Sequence, residues 1–264
     1  MSVAPLTARP APPSRSLAVP LSIVGFLAIT IWAGVSIEFN PVEIIEGISG
    51  ADRIVGALIQ PNWSFLENTA QPMLETFQMA VIATAIGCAV ALPLAFLASR
   101  VTSPNRISYT LDRSILNVIR AIPDILYALV FVSAVSIGPL AGILALILFN
   151  IGVVAKLLSE TVDGVDTGPI EAARAGGAGR IQTVGTSVLP QVMPNYVAYS
   201  LYTFELNIRA STVIGIVGAG GIGNVLNTQL KFFNYSNVSV VIIELFVFVF
   251  VIEFISIALR RRLV

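Results

Sequence analysis

The sequence has no histidine, only one cysteine, and few charged residues for its length. Charged residues make up 11% of the 264 positions, whereas an average soluble domain carries about 25%. A lone cysteine, Cys88, excludes a disulfide within the chain, and the lack of histidine removes the commonest metal ligand. The formal net charge is zero, so the charge balance does not favour nucleic-acid binding. The shortage of charge predicts a membrane protein.

Sequence motifs for catalysis are also missing. An ATPase needs a glycine loop that ends in Gly-Lys-Ser/Thr to hold phosphates, but the two lysines, Lys156 and Lys231, are followed by Leu157 and Phe232. No Gly-x-Ser-x-Gly nucleophile motif occurs, and no Ser-His pair is possible without histidine. We therefore predict that the chain is not an enzyme and that it binds no cofactor, metal or nucleic acid.

Long apolar stretches are what the sequence has in abundance, since 56% of its residues are hydrophobic. A helix needs about 20 mostly apolar residues to cross a bilayer. Six stretches meet this requirement and predict an all-α membrane protein with about six transmembrane helices. They are residues 17–37, 77–99, 114–137, 140–162, 188–210 and 239–259. Two of them contain prolines, Pro123 and Pro194, which predict kinks.

The remaining segments divide the chain into regions. Residues 1–16 form a proline-bearing polar tail that we expect to be disordered. Residues 17–37 are longer than the usual core of a secretory signal, which favours a first transmembrane helix over a signal peptide. Residues 38–69 form an external segment, and residues 70–260 form the transmembrane domain.

The distribution of arginine and lysine indicates the orientation, because these residues are enriched in cytoplasmic segments. With the N-terminus in the cytoplasm, the inner segments hold ten basic residues and the outer segments hold two, Arg53 and Lys231. Both termini are therefore predicted to lie in the cytoplasm.

Small residues recur at every fourth position of the second predicted span. This spacing places them on one face of a helix, where the backbone of another helix can approach closely in lipid. They are Ala83, Gly87, Ala91 and Ala95.

A glycine-rich segment follows the fifth predicted span. Residues 218–223 read GAGGIG, which fits the dinucleotide-binding pattern after the strand-like residues 212–217. That pattern also needs an acidic residue about 20 positions later, but the first acid, Glu244, lies inside an apolar span. Irregular backbone at membrane depth is tolerated where it is buried in protein or lines a cavity. We predict that this glycine-rich segment borders a translocation pathway. The alternative is that its glycines only allow close helix packing. The residues concerned are Ser211, Gly215, Gly218, Gly220, Gly221 and Gly223.

Two charged residues lie within the fifth predicted span. Glu205 and Arg209 are four residues apart, near its predicted outer end, in the favoured order for a helical ion pair. Ionisable residues inside a membrane are costly and are by default a functional hypothesis. We assign both to the translocation pathway, with a purely structural salt bridge as the alternative.

The longest predicted cytoplasmic loop between spans, residues 163–187, is polar. Residues 167–169, Thr-Gly-Pro, favour the start of a short helix, and Gly176, Gly177 and Gly179 favour its end. Such a helix fits a docking element for a soluble partner, with a solvated loop as the alternative.

This loop resembles a motif of the permease subunits of bacterial ABC importers. The motif reads Glu-Ala-Ala, three residues, Gly, nine residues, Ile, one residue, and Leu-Pro. The matching residues are Glu171, Ala172, Ala173, Gly177, Leu189 and Pro190, and Ser187 stands at the isoleucine position. Further along, RASTVIGIVGAGGIG is similar to phosphonate importer permeases and, more loosely, to methionine importer permeases. The resemblance covers roughly residues 70–260.

The resemblance implies a type I importer permease with the MetI-like fold, embedded in the lipid of the bacterial cytoplasmic membrane. It implies a homodimer, two ATP-binding subunits docked on residues 163–187, and an extracytoplasmic substrate-binding protein. The implied substrate is phosphonate or a related oxyanion such as phosphite or phosphate. The alternatives are a permease for another small solute such as methionine, an ATP-independent carrier or channel, and a membrane-embedded enzyme.

Overall fold

The computed structural model describes residues 18–43, 47 and 51–261, and every regular element in these ranges is helical. The chain divides into two compact units, Met1–Arg53 and Ile54–Val264. The first unit contains α1 (Ala18–Ser36), which confirms the first predicted span as a helix. The predicted tail, residues 1–16, lies outside the described residues.

The second unit is a bundle of long and short helices. A short helix, α2 (Asp52–Ile59), and a 3₁₀ turn (Trp63–Phe65) precede it, so the predicted external segment is partly helical. The remaining helices are α3 (Leu66–Leu97), α4 (Arg106–Ala121), α5 (Asp124–Val135), α6 (Pro139–Asp163), α7 (Gly168–Ala175), α8 (Arg180–Thr183), α9 (Leu189–Ile216), α10 (Ile222–Lys231) and α11 (Tyr235–Arg260). A π-helical stretch, Val184–Val188, joins α8 to α9.

Four helices in the described part of the chain are long and apolar enough to cross a membrane. They are Val19–Ser36, Trp63–Leu97, Pro139–Asp163 and Tyr235–Arg260. These helices coincide with the first, second, fourth and sixth predicted spans. The fifth predicted span lies in α9, whose 28 residues extend about 42 Å. α9 is therefore long enough to cross, although it is more polar than the other four.

The third predicted span, residues 114–137, is not one helix. α4 and α5 meet at an angle of 87°, and Ile122 between them is extended because a residue before proline avoids the helical conformation. Pro123 therefore breaks the helix rather than kinking it. α4 begins earlier than the predicted span, since the side chain of Asn105 caps it by accepting a hydrogen bond from the Ser108 N–H at 2.7 Å.

The centre of the bundle is the contact between α3 and α6. The small residues at every fourth position of α3 are all buried, which confirms the predicted packing face. A Cβ atom built on Gly87 would lie 2.5 Å from the Cβ of Asn150 in α6. The two backbones therefore approach closely only because position 87 has no side chain.

Polar side chains also join the helices inside the bundle. Asn150 of α6 and Asn207 of α9 are both fully buried, but the Asn150 amide has no hydrogen-bond partner within the described residues. The amide of Asn207 donates a hydrogen bond to the hydroxyl of Thr84 in α3 at 2.7 Å. Such a bond connects two helices where lipid offers no partner.

Replacing Gly87 by alanine tests the α3–α6 contact. We expect Gly87→Ala to lower the free energy of unfolding by about 1–3 kcal/mol, because the added methyl group overpacks against Asn150. Gly185→Ala is the matched control, since no atom lies within 4 Å of a Cβ built there. Thermal unfolding in detergent measures both variants. Equal midpoints for the two would contradict the close contact.

Candidate functional site

The loop between α6 and α9 contains the short helix α7, as predicted. The N–H of Gly168, its first residue, donates to the Asp166 carboxylate at 2.9 Å, and Pro169 lies in the first turn, where its missing N–H is tolerated. Ile170 is 3% exposed and packs into the apolar core. One side chain therefore anchors the helix to the bundle.

The opposite face of α7 is open. Glu171, Ala172, Arg174 and Ala175 are exposed, and Ala173 is partly buried. Glu171 lies in the first turn, where a carboxylate is favoured by the helix dipole. This face carries short alanine side chains beside the charged Glu171 and Arg174. The surface of another protein can therefore pack against it closely.

Gly177 ends α7 in a left-handed conformation with φ of +84°. The N–H of Ala178 donates to the carbonyl of Ala173, and the N–H of Gly177 donates to the carbonyl of Arg174, both at 3.0 Å. This is the Schellman arrangement for a helix end. A Cβ built on Gly177 would meet nothing within 4 Å, so the requirement for glycine comes from the backbone conformation.

Two side chains tie the start of α7 to the start of α9. Ser187, at the isoleucine position of the motif, donates its hydroxyl to the carbonyl of Pro169 at 3.0 Å. The amide of Gln191 accepts from the Asp166 N–H at 3.0 Å and donates to the Ser187 carbonyl at 2.7 Å. No local sequence pattern indicates Gln191, because its contact with Asp166 spans 25 residues.

The end of the predicted loop is already helical. The last two residues of the motif, Leu189 and Pro190, form the first turn of α9, which tolerates proline. Leu189 is partly buried and Pro190 is exposed. Because α8 and the π-helical stretch lead directly into α9, the non-helical parts of residues 163–187 are confined to residues 164–167 and 176–179.

The same loop is attached to the segment between α3 and α4. Arg180 donates hydrogen bonds to the carbonyls of Thr102, at 3.2 Å, and Ser103. The carboxylate of Asp163 accepts from the Ser99 hydroxyl and from the Arg100 N–H, both at 2.7 Å. These bonds fix both ends of the loop.

Two arginines surround Tyr109 at this end of the bundle. The Arg100 guanidinium donates to the Tyr109 hydroxyl at 3.1 Å, and Arg113 also donates to it. The hydrogen bond from Arg100 is the main reason that the pKa of Tyr109 lies below its usual value. Arg113 also lies 3.7 Å from Asp163, so the tyrosine is connected to the start of the loop.

The glycine-rich segment is a tight turn between two helices. Residues 212–216, expected to be strand-like, are the end of α9, because the helix continues to Ile216. Residues 217–221, here called the glycine loop, then reverse the chain. Gly218, Gly220 and Gly221 have φ of +92°, +85° and +71°, a conformation that favours glycine.

The other predicted pathway residues flank the glycine loop. A Cβ on Gly215 would lie 2.6 Å from the carbonyl oxygen of Gly220, and one on Gly223 would overlap the carbonyl of Thr212. α9 and α10 therefore touch through their backbones. Ser211 is buried and donates its hydroxyl to the carbonyl of Asn207 at 2.6 Å.

Glu205 and Arg209 form the predicted ion pair, with 2.7 Å between Oε1 and Nη2. The pair is part of a larger network between α9 and α11. The other oxygen of Glu205 lies 3.3 Å from Arg260, and Arg209 lies 3.2 Å from Glu253. The side chain of Glu205 is 8% exposed and that of Arg209 is 47% exposed. Across residues 18–43, 47 and 51–261, no three His, Cys, Asp or Glu side chains gather as a metal site requires.

The expected position of this pair needs a correction. Glu205 was expected near the outer end of its span, whereas Arg260, near the C-terminus, was expected at the cytoplasmic end. Their contact at 3.3 Å is incompatible with that arrangement. α9 continues to Ile216, six residues beyond the predicted end of the span, so Glu205 lies in the middle part of the helix.

The charge network predicts unequal effects of two substitutions on stability. Glu205→Gln removes the acid partner of Arg260 and leaves Arg209 paired with Glu253, and we expect a loss of about 2–3 kcal/mol in the free energy of unfolding, as for hydrogen bonds to a charged group. Arg209→Gln should lose only about 1 kcal/mol, because Arg260 still neutralises Glu205 and the Arg209 side chain is half exposed. Thermal unfolding of both variants measures the difference. Equal losses would contradict the central position of Glu205.

Comparison with known proteins identifies the class. The family described as binding-protein-dependent transport system inner membrane component matches residues 91–264. The chain belongs to this family of membrane-embedded, multi-pass ABC importer permeases.

Individual relatives agree with this assignment. The chain is 36% identical over 219 residues to the phosphite transport system permease protein PtxC of Stutzerimonas stutzeri, covering 83% of this chain and 80% of that protein. It is 39% identical over 233 residues to the phosphate-import permease protein PhnE of Mycolicibacterium smegmatis. That match covers 88% of this chain and 44% of the relative, so the chain spans less than half of the relative's length.

A solved structure confirms the expected MetI-like fold. The chain resembles a subunit of the MetNI methionine ABC transporter in an inward-facing conformation, with a TM-score of 0.67 and 26% sequence identity. The match covers 76% of this chain and 98% of that subunit.

Proposed function

We propose that the chain is the membrane-spanning subunit of an ATP-driven importer for phosphonate or a related oxyanion, such as phosphite or phosphate. Relatives whose names refer to phosphite and phosphate import support this substrate class, because they share more than a third of their aligned residues with this chain. The similarity to the methionine transporter supports a second candidate, a permease for methionine or another small solute.

The observation that carries the proposal is the geometry of α7. A helix that transmits motion has to present a free face to the partner and be attached firmly to the helices that move. α7 has an exposed face at Glu171 and Ala172. Pro169 in its first turn is bonded to Ser187, and Asp166 just before it is bonded to Gln191 in the first turn of α9. A displacement of α7 would therefore be transmitted to α9.

The proposed partners are those that the resemblance to importer permeases implies. In this proposal ATP hydrolysis takes place on two separate ATP-binding subunits, which agrees with the lack of a glycine loop ending in Gly-Lys-Ser/Thr in this sequence. These subunits dock on α7 from the cytoplasm, where both termini also lie. A second copy of the chain completes the pathway within the lipid, and a substrate-binding protein delivers the oxyanion from outside.

The translocation pathway borders the glycine loop in this proposal. Its support is the irregular backbone of residues 217–221, which is tolerated at membrane depth only within protein or beside a cavity. Arg209 supplies a positive charge that an oxyanion can use. Arg209→Gln should then reduce uptake sharply in protein that remains folded. Recovery of uptake when Glu205→Gln is added would instead assign the pair a structural role.

Substitutions at Gly177 test the coupling. Valine strongly disfavours the positive φ at this position, so Gly177→Val should abolish the turn after α7 and reduce ATP-driven uptake by about tenfold or more. Asparagine tolerates this conformation, so Gly177→Asn is the matched control and should retain most of the uptake. Both proteins should insert into the membrane normally, because the loop lies outside every predicted span.

The measurement is uptake together with hydrolysis of ATP by the complex that the chain forms with its ATP-binding subunits. If Gly177→Val transports and hydrolyses like the parent, α7 is not the coupling element.

A further inference from the structure

One carboxylate in α3 holds the backbone of the glycine loop. Oε1 of Glu75 accepts a hydrogen bond from the N–H of Gly221 at 3.1 Å. The hydroxyl of the next residue, Thr76, accepts from the N–H of Ile222 at 2.8 Å. These N–H groups belong to the start of α10, where a helix has no internal partners for them. A negative charge at this end is further favoured by the helix dipole.

The fit between α3 and the loop leaves no room for side chains. A Cβ on Gly220 would lie 2.7 Å from Oε1 of Glu75, and one on Gly221 would lie 2.5 Å from the Thr76 hydroxyl. Both glycines also have positive φ. The glycines therefore serve the contact with α3 as well as the turn itself.

The other side of the loop is attached to the turn between α5 and α6. The N–H of Gly138 donates to the carbonyl of Gly218 at 3.0 Å, and Gly220 packs against Pro139. The glycine loop is thus the point at which α3, α6, α9 and α10 meet. A change in its conformation has to change how the ends of these helices are held together.

We propose that Glu75 is a positioning residue for transport: it latches the glycine loop to α3, and release of this latch opens the pathway at this end of the bundle. The second half of this statement rests on the proposed function, in which the loop borders the pathway. Glu75 lies 146 residues from Gly221 in the sequence, which is why no local pattern indicated it.

The chemistry of the contact suits a latch that opens and closes. It consists of hydrogen bonds to a partly buried carboxylate and to a hydroxyl, which water can replace when the loop moves away. The glycines give the released loop many accessible conformations. A contact made of apolar packing would lack this exchange with water.

A buried cysteine reports directly on the latch. Ile222 is fully buried beside the contact, so Ile222→Cys in a Cys88→Ala background gives a thiol that a maleimide reaches only when the loop opens. The full chain in lipid nanodiscs carries this reporter with Glu75→Leu or Glu75→Gln. Leucine and glutamine are similar in size, but only glutamine retains an oxygen that accepts the Gly221 N–H. Glu67→Leu, at an exposed carboxylate in the first turn of α3, is the control.

Glu75→Leu should raise the labelling rate about tenfold or more, the ratio expected for losing a hydrogen bond to a charged group. Glu75→Gln should stay within about threefold of the parent, and Glu67→Leu should match the parent. Slow labelling of Glu75→Leu would overturn the latch. Labelling of Glu75→Gln as fast as Glu75→Leu would also overturn it, because hydrogen bonding would then not be what holds the loop.

Uptake by the same Glu75 variants separates the latch from the proposed pathway. We expect uptake by the Glu75→Leu complex to fall severalfold while labelling rises. Fast labelling with unchanged uptake would retain the contact as a structural latch but overturn its role in transport. Loss of oxyanion uptake in every variant, including Glu67→Leu and the parent, would instead count against the proposed substrate class and leave the labelling result intact.

Discussion

Polar groups inside a bilayer have no water to bind, and each group that stays unpaired there costs several kcal/mol. This constraint governs the placement of the polar residues in the bundle. The charges of α9 are neutralised by α11, with Glu205 between Arg209 and Arg260. The irregular backbone of the glycine loop is paired with Glu75 and Thr76 of α3. At these two sites, where the chain departs from a regular apolar helix, a neighbouring helix supplies the partner.

The same bonds make α9 the connecting element between the two ends of the molecule. Ser187, just before α9, is bonded to Pro169 of α7, and Gln191 in the first turn of α9 is bonded to Asp166 just before α7. The last turn of α9 touches α10 at Gly215. The helix runs without a break over these 28 residues, although Pro194 lies inside it. Movement imposed on α7 would therefore reach the glycine loop and the contact with Glu75. The proposed coupling element and the proposed latch are thus mechanically linked through one helix.

Much of this fold could be predicted from the sequence, because local patterns determine it. Apolar length identified α1, α3, α6 and α11, and the four-residue spacing of Ala83 and Gly87 identified the packing face. The ion pair of Glu205 and Arg209 was visible because its partners are one helical turn apart. The sequence located the change of helix direction at Pro123 correctly, but we expected a kink within one helix. A kink and a full break of 87° carry the same sequence signal, a proline.

The remaining features depend on contacts between distant segments. Gln191 and Glu75 accept hydrogen bonds from backbone N–H groups that are 25 and 146 residues away. The residues beside them in the sequence form no motif that indicates these bonds. The predicted position of Glu205 near the outer end of its span was wrong. The position of a residue along the membrane normal depends on where every neighbouring helix ends. Such positions follow from the packed bundle and cannot be read from one segment.

We propose that this chain transports its solute only when ATP-binding subunits act on α7. The most direct measurement is uptake of labelled phosphonate, phosphite and phosphate into proteoliposomes that contain the chain, its ATP-binding subunits and its substrate-binding protein. We expect uptake of at least one of these oxyanions, and we expect it to require both ATP and the binding protein. Equal uptake without ATP would contradict it, because the chain would then be an ATP-independent carrier.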